Sequence, residues 1–93
     1  MKLGIVGAGM IVSSFLPEIL QVKDIQVTGL YARRIEAARA LCQQYGIPLA
    51  TDNMETLFSS GIDTVYVAVS NIAHYDFCKA ALEKGLHVIV EKP

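Results

Sequence analysis

The chain has 93 residues, which suits one domain with a genuine core and not two. Its net charge of −1 supplies no basic face for nucleic acid or for a membrane surface. The apolar share, 53%, exceeds that of an ordinary globular protein, so either the strands are covered on both faces or some apolar surface awaits a partner.

In chain order, Leu3 to Val6 is an apolar run with the length and β-branched content of a buried strand. It stops at Gly7-Ala8-Gly9. Phe15, Leu16, Ile19 and Leu20 then recur at helical spacing, and Pro17 within that helix removes a donor and predicts a kink. After the polar connection 21–24, Ile25 to Tyr31 reads as a second strand. Ile25, Val27, Gly29 and Tyr31 fall on one side of it and Leu30 on the other. Ile35, Ala38, Leu41, Cys42 and Tyr45 mark a second helix that Gly46 closes, and Ile47 to Ala50 reads as a short third strand. Asp52, with Glu55 three positions on, forms a capping-box pattern that opens a short helix through Phe58, closed near Gly61. Thr64 to Val69 is a fourth, buried strand. Asn71 caps a helix running to Lys84, Gly85 ends it, and His87 to Val90 is the fifth strand.

Strands and helices alternate throughout, at connection lengths that require crossovers. That pattern predicts an α/β, doubly wound parallel sheet, Rossmann-like, with helices on both faces. Right-handed crossovers predict the strand order 3-2-1-4-5. Cys42 and Cys78 are far apart and lack ligand spacing, so they read as small buried hydrophobes in a reducing compartment, with no metal site. The amino-terminal apolar run is too short for a signal peptide or a membrane span, and a soluble cytoplasmic protein is expected.

In such a sheet a ligand sits outside the carboxyl ends of the strands, where the order reverses. The residues just past those ends are Gly7-Ala8-Gly9, Ala32-Arg33-Arg34, Ser70-Asn71 and Glu91-Lys92, and they are expected to converge on one crevice. The strand, glycine turn and helix at the start make a mononucleotide-binding unit. Gly7 allows the tight turn, Gly9 lets backbone approach a pyrophosphate, and the helix amides face the phosphates. The third glycine of the G-x-G-x-x-G pattern is replaced by Val12, which is expected to push or tilt the helix outward. At the end of the second strand, where a carboxylate would bind a ribose 2′-OH, stand Ala32, Arg33 and Arg34. A guanidinium forms a charge-assisted fork with a 2′-phosphate, so this end favours NADP. Ser70 and Asn71 are placed to contact the ribose or nicotinamide end or simply to cap a helix, and His74 falls in the first turn of that helix. Lys92, in Glu91-Lys92-Pro93, is placed to donate a proton or hydrogen bond to a substrate oxygen.

The segments Gly-Ile-Val-Gly-Ala-Gly-Met-Ile (4–11), Tyr-Ala-Arg-Arg (31–34), Asn-Ile-Ala-His-Tyr (71–75) and Ala-Ala-Leu-Glu-Lys-Gly-Leu-His-Val-Ile-Val-Glu-Lys-Pro (80–93) together resemble the N-terminal NAD(P)-binding domain of the Gfo/Idh/MocA (glucose–fructose oxidoreductase / inositol dehydrogenase) family. The resemblance covers essentially the whole chain. Its most specific element is Gly-x-His-Val-x-x-Glu-Lys-Pro at 85–93. It implies an NAD(P)-dependent oxidoreductase acting on a sugar, polyol or related carbonyl compound. Lys92 would be the active-site lysine and Glu91 would help position the cofactor. Gly7, Ala8, Gly9, Met10 and Ile11 would line the pyrophosphate, Arg33 with Arg34 the 2′-phosphate end, and Ser70, Asn71 and His74 the nicotinamide half. Ala32, where the family has an acid or serine, favours NADP and leaves NAD as the other cofactor.

Family members also carry a second domain that supplies the substrate pocket and usually the oligomer interface. Residues 1–93 are therefore expected to be the cofactor-binding domain of an NADP-preferring oxidoreductase, inactive alone because hydride transfer needs the substrate held against the nicotinamide. A homo-oligomer is expected, along with self-association through an exposed apolar edge at the fifth strand or through surface normally covered by the second domain. A non-catalytic dinucleotide-binding sensor or interaction module is the alternative, against which the Glu-Lys-Pro end weighs.

Overall fold

The computed structural model describes residues 1–68 and 71–90, and the side chains of all of these except 10, 11 and 71–75. The elements run β1 (Lys2–Val6), α1 (Met10–Leu20), β2 (Gln26–Tyr31), α2 (Ile35–Tyr45), β3 (Leu49–Thr51), α3 (Met54–Phe58), β4 (Thr64–Val67), α4 (Asn71–Glu83) and β5 (His87–Val90). All five strands pair in parallel in the order β3-β2-β1-β4-β5, as the crossover rule predicts.

Alternate residues of the strands feed two separate cores. On one face Leu3, Ile5 and Leu30 pack with Val12 and Leu16 of α1 and with Ala38 and Leu41 of α2. On the other face Val6, Val65 and Val67 pack with Leu57 and Phe58 of α3 and Ala81 of α4. Each fully buried Leu or Val side chain contributes about 1.5–3 kcal/mol by leaving water, so the two faces together hold the helices in place. The high apolar share is thereby used on both sides of the sheet. Val12, expected to push or tilt α1 outward, is fully buried in the first core. α1 continues through Pro17 to Leu20.

Several boundaries differ from the sequence expectation, each for a local reason. The register of β1 against β2 shifts between Leu3 and Gly4, so Val27 pairs with Leu3 and Gly29 with Gly4, and Thr28 is the extra residue. This bulge reverses the pleat. Val27 consequently joins the core that holds Leu30, not the side of Gly29 and Tyr31. β3 begins at Leu49, not at residue 47. Gly46 takes a left-handed conformation, the Ile47 N–H closes α2 on the Cys42 carbonyl at 2.9 Å, and Pro48 has no N–H to give a ladder. The cap of α3 is Asn53 in place of Asp52: its Oδ1 accepts from the Thr56 N–H at 3.1 Å, while the Thr51 hydroxyl accepts from the Asn53 N–H at 3.0 Å. Glu55 pairs instead with Lys84, one residue past the end of α4. β4 is observed over Thr64–Val67; Val69 lies outside the described residues.

β5 is the least covered strand. Ile89 and Val90 are each 43% exposed, which agrees with the expected apolar edge. No helix among the described residues is long and apolar enough to cross a membrane.

Candidate dinucleotide site at the carboxyl ends of the strands

β1 turns into α1 at the point where the strand order reverses. The Gly7 N–H donates to the Tyr31 carbonyl at 2.8 Å, and the Ala68 N–H donates to the Val6 carbonyl at 2.8 Å, so the ends of β2 and β4 grip the turn from both sides. Gly7 has φ +127°, and a Cβ there would stand 2.4 Å from the Ala68 carbonyl oxygen. Only glycine fits.

Gly9 differs. It is exposed, its φ of −84° suits any residue, and a Cβ on it would meet no atom of the protein within 4 Å. Nothing in the fold itself demands glycine there, and the space above it is open. Gly9 is also the N-cap of α1 and supplies no side-chain cap. The N–H groups of the helix's first turn have no intrahelical acceptors, and that turn carries no acidic residue. Unsatisfied amides, the positive end of an eleven-residue helix and bare space above Gly9 together suit an anionic group.

The neighbouring lip is the end of β2. Ala32 is buried, with its N–H on the Thr51 carbonyl at 3.1 Å, and this anchors the chain just before Arg33 and Arg34. Both arginines are exposed, and neither side chain has a hydrogen bond or ion pair among the described residues. Arg34 is the N-cap of α2, in extended conformation. No carboxylate stands between β2 and this helix; Glu36, in its first turn, is the first acid.

Gly7, Ala8, Gly9, Ala32, Arg33 and Arg34 line one cavity of about 340 Å³. Six of the residues expected at the site are therefore brought together. Tyr31, Ala37, Ala68 and Phe77 complete its wall, and sequence reasoning missed all four. Tyr31 and Ala68 could have been found as the last residues before the crevice; Phe77 carried no comparable signal, since it reaches the wall from the second turn of α4. The side chains of Met10, Ile11, Asn71 and His74 lie outside the described ones, and Ser70, Glu91 and Lys92 lie outside the described residues altogether.

The titratable groups described elsewhere do other work. No group of three His, Cys, Asp or Glu side chains among the described residues could hold a metal ion. Cys42 is buried and its thiol donates to the Leu49 carbonyl at 3.4 Å; burial pushes its pKa up, and likewise that of the half-buried Cys78. Neither thiol is poised as a nucleophile.

Residues 1–93 match the family model GFO_IDH_MocA, described as "Oxidoreductase family, NAD-binding Rossmann fold". D-xylose 1-dehydrogenase (NADP(+)) 2 of Haloferax volcanii is 36% identical over 95 residues, which cover 100% of this chain and 29% of that protein. The scyllo-inositol 2-dehydrogenase (NADP(+)) IolU of Bacillus subtilis is 28% identical over 93 residues, covering 99% of this chain and 28% of that protein. Among solved structures, KijD10, a 3-ketoreductase from Actinomadura kijaniata in complex with TDP-benzene and NADP, superposes with a TM-score of 0.92 at 26% identity, over 100% of this chain and 30% of that one. The chain thus spans less than a third of the length of the relatives it matches.

Proposed function

This chain belongs to the Gfo/Idh/MocA oxidoreductase family, with its NAD-binding Rossmann fold, and on that premise we propose that it is the cofactor-binding unit of an NADP-preferring oxidoreductase acting on a sugar, polyol or related carbonyl compound. The observation that carries the preference is the lip of β2. Two exposed arginines whose side chains have no partner among the described residues stand there beside the open glycine turn, and no carboxylate lies between β2 and α2. A carboxylate at that place would repel a 2′-phosphate, whereas a guanidinium binds one through paired charged hydrogen bonds. The NADP-dependent relatives and the NADP-bound ketoreductase point the same way.

In this reading the first-turn amides of α1 hold the diphosphate above Gly9, and Arg33 with Arg34 holds the 2′-phosphate. When bound, the nicotinamide supplies a hydride acceptor or donor. Lys92 follows β5 by two positions in the chain and is assigned the proton or hydrogen bond to the substrate oxygen, with Glu91 orienting the cofactor. Ser70, Asn71 and His74 are assigned to the nicotinamide half. Substrate binding is assigned to chain beyond this unit, since the relatives are more than three times as long. Assembly into a homo-oligomer is part of the same proposal; Ile89 and Val90 are apolar surface that it would cover.

Titration of the chain with NADPH and NADH by calorimetry tests the cofactor assignment. NADPH is expected to bind more tightly, and Arg33→Ala is expected to weaken NADPH by about 1.5–3 kcal/mol, the scale of hydrogen bonds to charged groups, while leaving NADH nearly unchanged. Equal or tighter binding of NADH overturns it.

A further inference from the structure

The capping-box pattern predicts Asp52 as the cap of α3, but Asn53 holds that place. Asp52 is left exposed, and its carboxylate has no hydrogen bond or ion pair among the described residues. Its position in the sheet gives it neighbours of opposite charge. Tyr31 pairs with Thr51 in the register of β2 against β3, and the Ala32 N–H donates to the Thr51 carbonyl at 3.1 Å. Asp52 therefore leaves β3 beside Ala32, and the next residues on the β2 side are Arg33 and Arg34.

We infer that Asp52 is a specificity-determining residue: its negative charge beside the arginine lip opposes a 2′-phosphate, so that NADPH is favoured over NADH less strongly than Arg33 and Arg34 alone would favour it. The inference rests on the dinucleotide reading above and adds to it a residue contributed by β3. Three observations carry it. The carboxylate makes no ion pair with either guanidinium, so it does not orient them, and what remains is its repulsion of an anion held there. A 2′-phosphate carries about two negative charges at neutral pH, which doubles that repulsion. The strand order β3-β2-β1 places Asp52 one strand from the β2 lip and two strands from the Gly9 turn. Strands lie about 4.8 Å apart and physiological salt screens exposed charges over about 8 Å, so the charge is felt at the 2′-phosphate and far less at the diphosphate. Only the 2′-phosphate separates NADPH from NADH, so the effect falls on their ratio. The other acid near the lip, Glu36, lies in the first turn of α2, where the helix dipole favours a carboxylate. Asp52 precedes a cap already filled by Asn53 and makes no such contribution to the fold.

Calorimetric titration of the parent, Asp52→Asn and Asp52→Glu with NADPH and NADH tests the assignment. Asp52→Asn is expected to tighten NADPH about threefold, the scale of an exposed Coulomb interaction at this separation, and to leave NADH unchanged. Asp52→Glu keeps the charge and is expected to keep the parent's ratio. In about 1 M salt, where screening acts within about 3 Å, the parent and Asp52→Asn are expected to bind NADPH alike. All three are expected to share one midpoint of urea unfolding, since the side chain is exposed and does not cap α3. An unchanged or lowered preference for NADPH in Asp52→Asn, or a gain that persists in high salt, overturns the role of Asp52 and leaves the dinucleotide site standing. If the parent binds NADPH no more tightly than NADH, the reading of the arginine lip falls and this one with it.

Discussion

The two ends of the sheet are made of the same strands and do opposite things with their polar groups. At the amino end the groups satisfy one another. The Asp63 carboxylate accepts from the Lys2 N–H at 3.0 Å and from the Thr64 hydroxyl at 2.8 Å, its carbonyl accepts from the His87 N–H at 3.0 Å, and the terminal ammonium of Met1 donates to the Asp24 carbonyl at 2.9 Å. At the carboxyl end the Gly9 turn opens to space, and the Arg33 and Arg34 side chains have no partner among the described residues. A polar group that has found its partner within the chain serves the fold. Charged groups left without a partner in the chain, together around one cavity, are available to a ligand.

The two glycines at that open end give the sharpest way to break the contrast. Gly7→Ala brings a methyl group against the Ala68 carbonyl at a positive φ, and it is expected to cost about 3 kcal/mol or more of stability, read as a drop in the midpoint of urea unfolding. Gly9→Ala is expected to leave that midpoint within about 0.5 kcal/mol, the scale of an ordinary surface change, and to weaken NADPH at least tenfold in calorimetry, since the added methyl occupies the space proposed for the diphosphate. Equal effects of the two substitutions on folding would erase the distinction between a glycine the fold requires and one the site requires.

The smallest expected effect belongs to the amino end. The Lys2 N–H, and after it the Thr64 hydroxyl, hold the Asp63 pKa below the ordinary carboxylate value. A lowered folded pKa means that the unfolded chain binds the proton more readily. The contribution of Asp63 to stability is therefore complete above the ordinary aspartate pKa of about 4 and is lost as the pH falls through the lowered value. Asp63→Asn is expected to flatten acid unfolding in that window and to leave NADPH binding at pH 7 untouched. A change in cofactor affinity on this substitution would mean that the two ends are coupled.

Much of this was legible in the chain itself. Apolar runs bounded by Gly7, Gly46 and Gly85 mark strands and helices because strand length and helical period leave different traces. The strand order followed because parallel strands need right-handed crossovers. Gly7, Gly9, Arg33 and Arg34 could be placed at one end of the sheet because the residue after each strand must emerge there. What could not be read depends on pairing between distant segments. The bulge at Thr28 exists only in the register of β2 against β1, so the side assigned to Val27 came out reversed. The start of β3 depended on how Ile47 closes α2, and the α3 cap moved from Asp52 to Asn53 because the Thr51 hydroxyl claims the Asn53 N–H. Phe77 reaches the cavity wall from a helix 46 positions away from Tyr31, and its helical spacing alone says nothing of β2.

The most direct test of the contrast between the ends is a residue-by-residue map of amide shifts in the labelled chain at saturating NADPH. The largest changes are expected at residues 7–12 and 32–34, with the amides of Lys2, Asp63 and His87 unmoved. Saturable binding with its largest shifts at Lys2, Asp63 and His87, or no shift at Gly9 and Arg33, would contradict the account.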